Sequence, residues 1–435
     1  MKRRQFLGKI GKLAAFSAIA PTIIPSSALG KSGYVAPSNR VALGAIGLGG
    51  QGTMNTRNFL SDKRVEVVAL CDVCKSANTY GYGHTDTKGA EVFKKQNNLN
   101  VPVYEDYREL LAQSDIDAVT VALPDHWHAI AYIDCANAGK DVFGEKPLTR
   151  TIEEGRALCE AVKRNGIIWQ TGSWQRSLPK FRYVAELIRN GVLGKVHKVE
   201  ITLPKNAAIE ALPAQAVPED LNWDLWQGPA FRSDYHTFKA FTTWRFISAY
   251  SAGKIADWGA HHIDIAHWAL GYNEKGPDKI KPASAVWPKE GFYDQPIEFR
   301  VLLEYANGEV FDVSASSKEP GVCFYGEKGK ISISRSRMDS TPAILTDMKV
   351  PTDGIRLYGS DKDHWRNFID SVIDRRACST DIEIAHRTNS ACLLSEIAYR
   401  TGRTIKWDWK TEKVVGDSQA QKLCSKAYYG NWQLS

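Results

Sequence analysis

The chain has 435 residues, with 56 lysines and arginines against 49 aspartates and glutamates, and a formal net charge of +7. Five of its basic residues and none of its acidic ones lie within residues 1–30, so the remainder carries a net +2 (7 − 5). This near balance excludes an electrostatic argument for a nucleic acid or an anionic membrane as partner. The roughly 400 residues that follow exceed one typical domain and predict two.

Residues 1–30 are typical of an export signal rather than of a folded segment. The chain begins with Lys2-Arg3-Arg4, and a weakly apolar stretch, residues 13–24, leads to small residues at 26–28. That stretch contains Pro21 and is shorter than the about 20 apolar residues that span a bilayer. We therefore predict a Tat-type signal, a periplasmic location and no stable membrane anchor.

Residues 39–165 alternate between strand and helix patterns. The predicted strands are 41–46, 65–71, 101–104, 118–123, 141–143 and 167–171, and the predicted helices begin at Gln51 and cover 105–113, 126–138 and 152–164. This alternation is typical of a parallel sheet with helices on both faces.

A glycine triplet follows the first apolar run and indicates what this domain binds. Gly47-x-Gly49-x-x-Gly52 opens the first helix, and Asp72 ends the second strand 20 residues beyond the last glycine. The glycines permit a tight turn and let backbone N–H groups approach a pyrophosphate, while the acid can accept hydrogen bonds from a ribose. We predict a Rossmann dinucleotide-binding domain over residues 39–165.

The carboxylate of Asp72 favours NAD over NADP, because it would repel a 2′-phosphate; Lys75 partly offsets that charge. A Tat-type route carries folded proteins, so the cofactor would be acquired before export. Because the periplasm offers no NAD for exchange, we expect the cofactor to be held tightly.

Glu145-Lys146-Pro147 follows the strand at 141–143, so Lys146 is predicted at the carboxyl edge of the parallel sheet, where ligands bind in open α/β folds. Pro147 restricts the backbone of Lys146 and helps to aim its side chain into the cleft.

From about residue 195 the pattern changes to strands joined by short turns. The predicted strands are 198–203, 283–287, 298–305, 310–316, 321–325 and 330–334, and two amphipathic helices, 363–375 and 384–400, follow. We predict a second, α+β domain over residues 166–410 with a large, mostly antiparallel sheet, and a tail at 411–435. The fold class is therefore α/β with two domains.

A second cluster of chemically active residues lies at 257–264. If residues 258–270 are helical, Asp257 and His261 share a face, and the carboxylate would favour a protonated imidazole suited to acid–base chemistry. Two alternatives stay open: Asp257 caps the helix while His261 and His262 pack, or the three residues bind a metal.

The glycine motif, Asp72 and four later segments resemble the glucose–fructose oxidoreductase/inositol dehydrogenase/rhizopine-catabolism (Gfo/Idh/MocA) family. The segments are 123–128, 138–140, 145–147 and 257–264, in family order and spacing, and details such as Trp244-Arg245 resemble an exported subgroup. The resemblance implies a Rossmann domain followed by an α/β domain whose open sheet commonly mediates homo-oligomers.

The resemblance also implies roles for particular residues. Lys146 would contact nicotinamide and substrate, Asp257 would bind substrate, and His261 would be the catalytic histidine. Cofactor contacts are implied for Gly47, Gly49, Gly52, Asp72, Pro124, His128, Glu145 and Lys146, although Leu123-Pro124-Asp125 stands where the family usually has Thr-Pro-Asn. Candidate substrate contacts are Gln175, Arg176, Trp244, Arg245 and His262, and no metal is expected.

The leading hypothesis is an NAD-dependent oxidoreductase acting on a secondary hydroxyl of a sugar, glycoside or cyclitol. His261 would take the hydroxyl proton, and Lys146 would stabilise negative charge on that oxygen. The first alternative is a redox-neutral glycosidase that oxidises, eliminates, adds water and re-reduces with the retained cofactor. One family branch resembling that activity departs from the lysine motif, which is intact here. The second alternative is a sugar-binding protein with structural NAD.

Overall fold

The computed structural model describes residues 40–76, 89–357 and 363–434. The predicted export signal lies outside these described residues.

A six-stranded parallel sheet forms the first layer of the fold. Its strands are β1 (Val41–Ile46), β2 (Val65–Cys71), β3 (Val103–Tyr104), β4 (Ala118–Val121), β5 (Asp141–Gly144) and β6 (Trp169–Thr171), in the order β3-β2-β1-β4-β5-β6. β4 and β5 are buried at every position, as expected for central strands covered on both faces. The predicted Rossmann sheet is confirmed. It continues through β6, so it extends beyond the predicted domain boundary at residue 165.

In the described part of the chain, five helices accompany this sheet. They are α1 (Gly50–Leu60), α2 (Gly89–Gln96), α3 (Tyr107–Leu111), α4 (Asp125–Asn137) and α5 (Ile152–Asn165). α5 shows how the local sequence sets its bounds: Thr151 and Glu154 form a capping box, and Gly166 ends the helix in the left-handed conformation at φ +60°.

A nine-stranded sheet forms the second domain. Its strands are β7 (Val196–Leu203), β8 (Lys279–Val286), β9 (Glu298–Glu304), β10 (Val310–Ala315), β11 (Gly321–Gly326), β12 (Gly329–Ser334), β13 (Met338–Thr341), β14 (Ile405–Asp408) and β15 (Lys413–Val414). The order is β13-β12-β11-β7-β10-β9-β8-β14-β15, and every pair is antiparallel except β7 with β10. The mostly antiparallel sheet is confirmed, with β13, β14 and β15 beyond the predicted strands.

Alternating burial along β9 shows how this sheet packs. Phe299, Val301 and Leu303 are buried against helices, whereas the side chain of Arg300 faces outward and pairs with Asp312 at 2.8 Å. The remaining helices are α6 (Pro179–Arg189), α7 (Trp223–Gln227), α8 (Lys254–Asp257), α9 (Gly259–Leu270), α10 (His364–Asp374), α11 (Ile382–Thr401) and α12 (Ser418–Lys422). α6, α9 and α11 supply most of the helical side of the core.

The end of the chain returns to the first sheet. Phe368 of α10 packs edge-on against Phe59 at 5.9 Å and Phe143 at 5.8 Å, and Trp432 packs against Trp127 at 4.9 Å. Residues 363–434 therefore contribute to both layers, and the divisions at 166–410 and 411–435 stay predictions. Among the described helices, none has the length and apolarity required to span a membrane.

Candidate active site

A cleft of about 820 Å³ lies at the carboxyl edge of the parallel sheet. One wall comes from the loops that follow β1, β2, β4 and β5, and the other comes from the second domain. Its lining residues include Gly47, Gly49, Asp72, Pro124, Asp125, Glu145, Lys146, Trp226, Trp244, Arg245, Lys254 and Asp257. Nine predicted site residues thus share one cavity.

The glycine loop has the shape that a bound pyrophosphate requires. A Cβ on Gly47, whose φ is +81°, would lie 2.5 Å from the carbonyl oxygen of Ala122, and one on Gly52 would lie 1.8 Å from that of Gly47. Gly49 differs, because a Cβ there would meet nothing within 4 Å. Two glycines are therefore demanded by packing, while Gly49 borders open space.

The N-terminus of α1 faces that space without a protein cap. Gly49 is its N-cap residue and provides no side-chain hydrogen bond, and no acidic side chain occupies the first turn. Backbone N–H groups at such a terminus bind phosphates well, because the helix dipole adds to their hydrogen bonds. These residues fit the diphosphate of a dinucleotide.

Asp72 fastens the glycine loop to the end of β2. Its Oδ2 accepts a 2.6 Å hydrogen bond from the backbone N–H of Leu48, and its Oδ1 accepts one of 2.8 Å from that of Cys74. A carboxylate has about four lone-pair positions, so these two hydrogen bonds do not by themselves prevent it from accepting one from a ribose hydroxyl. The predicted ribose contact thus has a second role as a loop anchor.

His128 is fully buried and joins two loops that border the cleft. Its Nδ1 lies 2.7 Å from the carbonyl oxygen of Pro147, and its Nε2 lies 2.8 Å from that of Leu123. Burial lowers the pKa of this imidazole to about 4, so the neutral ring donates to one of the two carbonyls. His128 therefore holds in place the backbone beside Pro124 and Lys146. Its direct contact with the cofactor stays a prediction.

Glu145 joins the Lys146 loop to α1. Its Oε1 accepts a 2.9 Å hydrogen bond from Asn55 of α1, and its Oε2 accepts one of 3.2 Å from the backbone of Lys146. Burial raises the pKa of this carboxyl. Further along the loop, Arg150 pairs at 2.7 Å with Glu396 of α11, so the closing helix helps to hold the Lys146 loop.

Asp257 gathers three cations at the far end of the cleft. Its Oδ1 lies 2.7 Å from Nζ of Lys146 and 3.5 Å from Nε of Arg245, and its Oδ2 lies 2.8 Å from Nζ of Lys254. Burial opposes ionisation, but the positive charges of Lys146, Lys254 and Arg245 outweigh it and hold the pKa of Asp257 well below its usual range.

This cluster changes the predicted relation between Asp257 and His261. Residues 254–257 form α8 and the next helix starts at Gly259, so Asp257 and His261 belong to two successive helices. The carboxylate bonds to cations instead of imidazole, and it does not cap α9. The capping alternative is therefore wrong.

His261 is a buried base rather than a histidine made more basic by a carboxylate. Burial and the nearby charges of Lys146 and Arg335 hold its pKa well below the usual value, and Asp257 opposes them only weakly. Its Nδ1 finds no hydrogen-bond partner among the residues that the structure describes. An orphaned, neutral ring nitrogen is suited to accept a proton from an arriving hydroxyl.

The structure separates the predicted substrate contacts into two groups. Trp244 and Arg245 line the cleft, and the guanidinium of Arg245 lies 4.3 Å from the Trp244 ring centroid. His262 is fully buried beneath Trp258, with their ring centroids 5.4 Å apart and its Nδ1 3.2 Å from the carbonyl oxygen of Thr202.

Arg176 and Gln175 are also buried. Arg176 forms two 2.7 Å hydrogen bonds to Asp264, so its guanidinium is committed to the core and a substrate contact is not supported. Gln175 accepts a 3.0 Å hydrogen bond from Arg335, while its amide nitrogen lacks a partner in the described part of the chain.

Four residues of this site were not among the predicted ones. Asp125 and Trp226 line the cleft, Lys254 pairs with Asp257, and Arg335 approaches from the second sheet. Burial raises the pKa of Asp125 to about 6, against the opposing charge of Arg245. Trp226 could have been found from its aromatic neighbours, but no local sequence pattern distinguishes Lys254 or Arg335 from surface cations.

Across residues 40–76, 89–357 and 363–434, no three His, Cys, Asp or Glu side chains are grouped to hold a metal ion.

Comparison with known proteins assigns both domains. Residues 41–173 match the family described as "Oxidoreductase family, NAD-binding Rossmann fold", and residues 180–434 match its "C-terminal alpha/beta domain". A glycosyl hydrolase family 109 protein of Shewanella sp. (strain ANA-3) is 31% identical over 212 residues, which cover 45% of this chain and 44% of that protein. An alpha-N-acetylgalactosaminidase of Shewanella oneidensis is 30% identical over the same shares. The chain thus spans less than half the length of these relatives.

Solved structures share the fold at low identity. GenD2 from gentamicin A biosynthesis, in complex with NAD, superposes with a TM-score of 0.62 and 19% identity over 85% of this chain and 97% of that one. Levoglucosan dehydrogenase, in complex with NADH and levoglucosan, superposes with a TM-score of 0.59 and 18% identity over 84% of this chain and 99% of that one. With both domains matched, the chain belongs to the Gfo/Idh/MocA oxidoreductase family.

Proposed function

We propose that this protein is an NAD-dependent oxidoreductase that acts on a secondary hydroxyl of a sugar, glycoside or cyclitol. The observation that carries the proposal is the 2.7 Å contact between Lys146 and Asp257 within the cleft that begins at the glycine loop. It puts a cation and its supporting carboxylate beside the predicted nicotinamide position, at the sheet edge where ligands bind in this class of fold.

Each residue has a definite task in such a reaction. Bound NAD supplies the hydride acceptor. His261 accepts the hydroxyl proton on its free Nδ1, and Lys146 stabilises the negative charge that develops on the same oxygen. Asp257 orients the Lys146 ammonium, which differs from the predicted support of an imidazolium.

NAD is favoured over NADP because Asp72 stands where a 2′-phosphate would approach. Lys75 offers little compensation: its side chain is 65% exposed, and its Nζ lies 3.8 Å from Glu105.

A segment of the second domain, residues 217–250, supports tight retention; we call it the cover segment. Its Asp220 accepts a 3.0 Å hydrogen bond from the backbone N–H of Lys75, and Asn222 donates one of 3.0 Å to the carbonyl of Val73. The carbonyl oxygen of Trp226 accepts a 2.9 Å bond from the indole of Trp127. These contacts lie beside Asp72, so cofactor release would require that several of them open.

Retention suits an exported enzyme, and the twin arginines at Arg3-Arg4 favour a Tat-type route to the periplasm. Protein purified without added nucleotide should release about one NAD(H) per chain on denaturation. A nucleotide-free preparation that still oxidises sugars would contradict retention.

A second candidate function is the redox-neutral glycosidase, and the names of the 30–31% identical relatives favour it. The same residues would oxidise a ring hydroxyl, after which the acidified neighbouring C–H allows elimination of the glycosidic substituent, water addition and re-reduction. The sugar-binding alternative with structural NAD gains no support from the orphaned nitrogen of His261.

We also propose a homo-oligomer that uses the open face of the second sheet. Its side chains form ion pairs such as Arg300–Asp312 and Lys281–Glu304, so that contact would be polar in character.

The experiment is a titration of the cofactor-loaded protein with a panel of glycosides and cyclitols, followed at 340 nm. Oxidation of a hydroxyl should convert bound NAD to NADH, and prior treatment with a chelator should leave the signal unchanged. Loss of activity to the chelator, with stoichiometric zinc by elemental analysis, would favour the metal alternative instead.

A further inference from the structure

Arg335 is held in a defined position beside the catalytic histidine. It follows β12, and its guanidinium lies 4.4 Å from the ring centroid of Trp258 and 4.8 Å from that of Trp174. Its Nε donates a 3.0 Å hydrogen bond to Oε1 of Gln175. The Trp174 ring in turn lies 6.1 Å from the ring of His261. Two indoles and an amide therefore fix the direction of this cation.

Arg335 also lacks the partner that a fixed arginine normally has. Within the described part of the chain it forms no ion pair with a carboxylate, and its terminal nitrogens donate no hydrogen bond to protein. Its neighbour Arg337 contrasts with it, because that side chain pairs with Glu319 at 3.3 Å and with Asp339 at 3.7 Å.

The charges around Arg335 leave a cationic surplus. The charge of Asp257 acts on the Arg335 guanidinium, but the two carboxylate oxygens already accept hydrogen bonds from Lys146 and Lys254. Arg245 completes this group of cations. Residue 335 is exposed, so water serves its guanidinium fork until a ligand arrives, and a neutral sugar would replace that water only with uncharged acceptors. An anionic oxygen group would accept two parallel hydrogen bonds from it.

From this arrangement we infer that the substrate carries an anionic group, a carboxylate or a sulfate ester, that binds to the free edge of Arg335. Resting on the proposed function, this inference assigns the substrate to the acidic sugars. The reacting hydroxyl lies at His261, and the anionic substituent lies on the side of Trp174 and Trp258. Stacking on the two indoles keeps Arg335 pre-oriented, so little rotamer entropy is lost on binding.

Matched sugar pairs test this directly with the cofactor-loaded protein. Calorimetric titration would compare methyl β-D-glucuronide with methyl β-D-glucoside and methyl β-D-galacturonide with methyl β-D-galactoside. Methyl β-D-glucoside 6-sulfate separates a sulfate from a carboxylate requirement. We expect at least one anionic member to bind about 10- to 100-fold more tightly than its neutral counterpart, the scale of a charge-assisted hydrogen bond.

Variants then locate the effect. Arg335→Met should abolish the preference, and Arg335→Lys should restore part of it through charge alone. Arg337→Met removes a cation from the same turn and should leave the preference within about twofold, because that side chain is already paired and exposed. Retained NAD and an unchanged Tm would show that each variant is folded.

The outcomes separate this inference from the function beneath it. Neutral members that bind and reduce the cofactor as well as the anionic ones would overturn the acidic-sugar inference and leave the oxidoreductase proposal intact. A preference that survives in Arg335→Met would overturn the assignment to Arg335. Failure of all five sugars to bind or to reduce the cofactor would contradict both.

Discussion

The two halves of the cleft are built in different ways. In the cofactor half, backbone groups dominate: four glycines lie within the six residues 47–52, and Asp72 accepts hydrogen bonds from the loop that it helps to shape. In the substrate half, side-chain charges dominate. Lys146 and Asp257 come from loops and helices more than a hundred residues apart and meet at 2.7 Å.

The two halves should therefore respond differently to single substitutions. Backbone hydrogen bonds at a helix N-terminus do not depend on one side chain, so a single substitution there should weaken binding by a limited amount. The charged cluster depends most on Asp257, because its loss would leave three neighbouring cations without their shared carboxylate. We therefore expect large catalytic effects in the substrate half and smaller binding effects in the cofactor half.

The largest effect is expected at His261. His261→Ala should lower kcat by about 10²–10⁴-fold, the usual scale for loss of a general base, while NAD stays bound. His262→Ala is the matched control, because it removes an adjacent, equally buried imidazole that packs under Trp258. Because His262 does not line the cleft, this variant should leave kcat largely unchanged, and its bound NAD and Tm show whether it is folded. An unchanged kcat in the His261 variant, on a verified substrate, would refute the assignment.

Lys146 gives the next effect. Lys146→Met should lower kcat by about 10²–10³-fold, as for removal of a group that stabilises a developing oxyanion. Lys254→Met takes a cation from the same carboxylate but leaves Lys146 in place, and we expect a loss below about tenfold. Steady-state kinetics with bound NAD quantified in each variant makes the comparison. Equal losses of kcat in the two variants would mean that the net charge of the cluster, and not the position of Lys146, determines the rate.

Asp72 tests the cofactor half. Asp72→Ala should weaken NAD binding by about 1–3 kcal/mol, from lost hydrogen bonds to a charged acceptor, and should narrow the gap to NADP. Lys75→Met serves as control, because this exposed side chain pairs with Glu105 and should leave the NAD-to-NADP ratio nearly unchanged. Fluorescence titration of NADH and NADPH measures both. A wild-type protein that prefers NADPH would show that Asp72 has been misinterpreted.

The pH profile is expected to show the smallest change. Because the pKa of His261 lies well below its usual value, the neutral base is fully present above pH 6, and kcat/KM for oxidation should stay level between pH 6.5 and 8. A residual inflection near pH 6 would belong to Asp125, whose pKa is about 6, and Asp125→Asn should remove it. An inflection above pH 6.5 that Asp125→Asn leaves in place would restore the predicted raised histidine pKa.

The cofactor half could be predicted almost completely from the sequence. The strand, glycine triplet, helix and acid are contiguous, so their spacing alone fixes their geometry. What the spacing did not reveal was that Asp72 also bonds to the backbone of Leu48 and Cys74, because those contacts depend on the exact path of two loops.

The substrate half could be predicted only in part. Lys146, Arg245 and Asp257 do meet, but the carboxylate of Asp257 bonds to lysines instead of to His261. Arg176 resembles a substrate contact in the sequence, yet it is committed to Asp264, a partner 88 residues away. Arg335 follows β12 of the second sheet, and no local sequence pattern distinguishes it from a surface cation. Such pairings are set by tertiary packing, which periodicity does not encode.

The most direct test of the account is the mass of the product made by the cofactor-loaded protein from a glycoside that it binds. An oxidoreductase should yield a keto-sugar about 2 Da lighter than the substrate, together with one bound NADH per chain, as hydride transfer requires. A free reducing sugar of unchanged oxidation state would favour the glycosidase alternative, and consumption of substrate without any reduction of the bound nicotinamide would contradict the account.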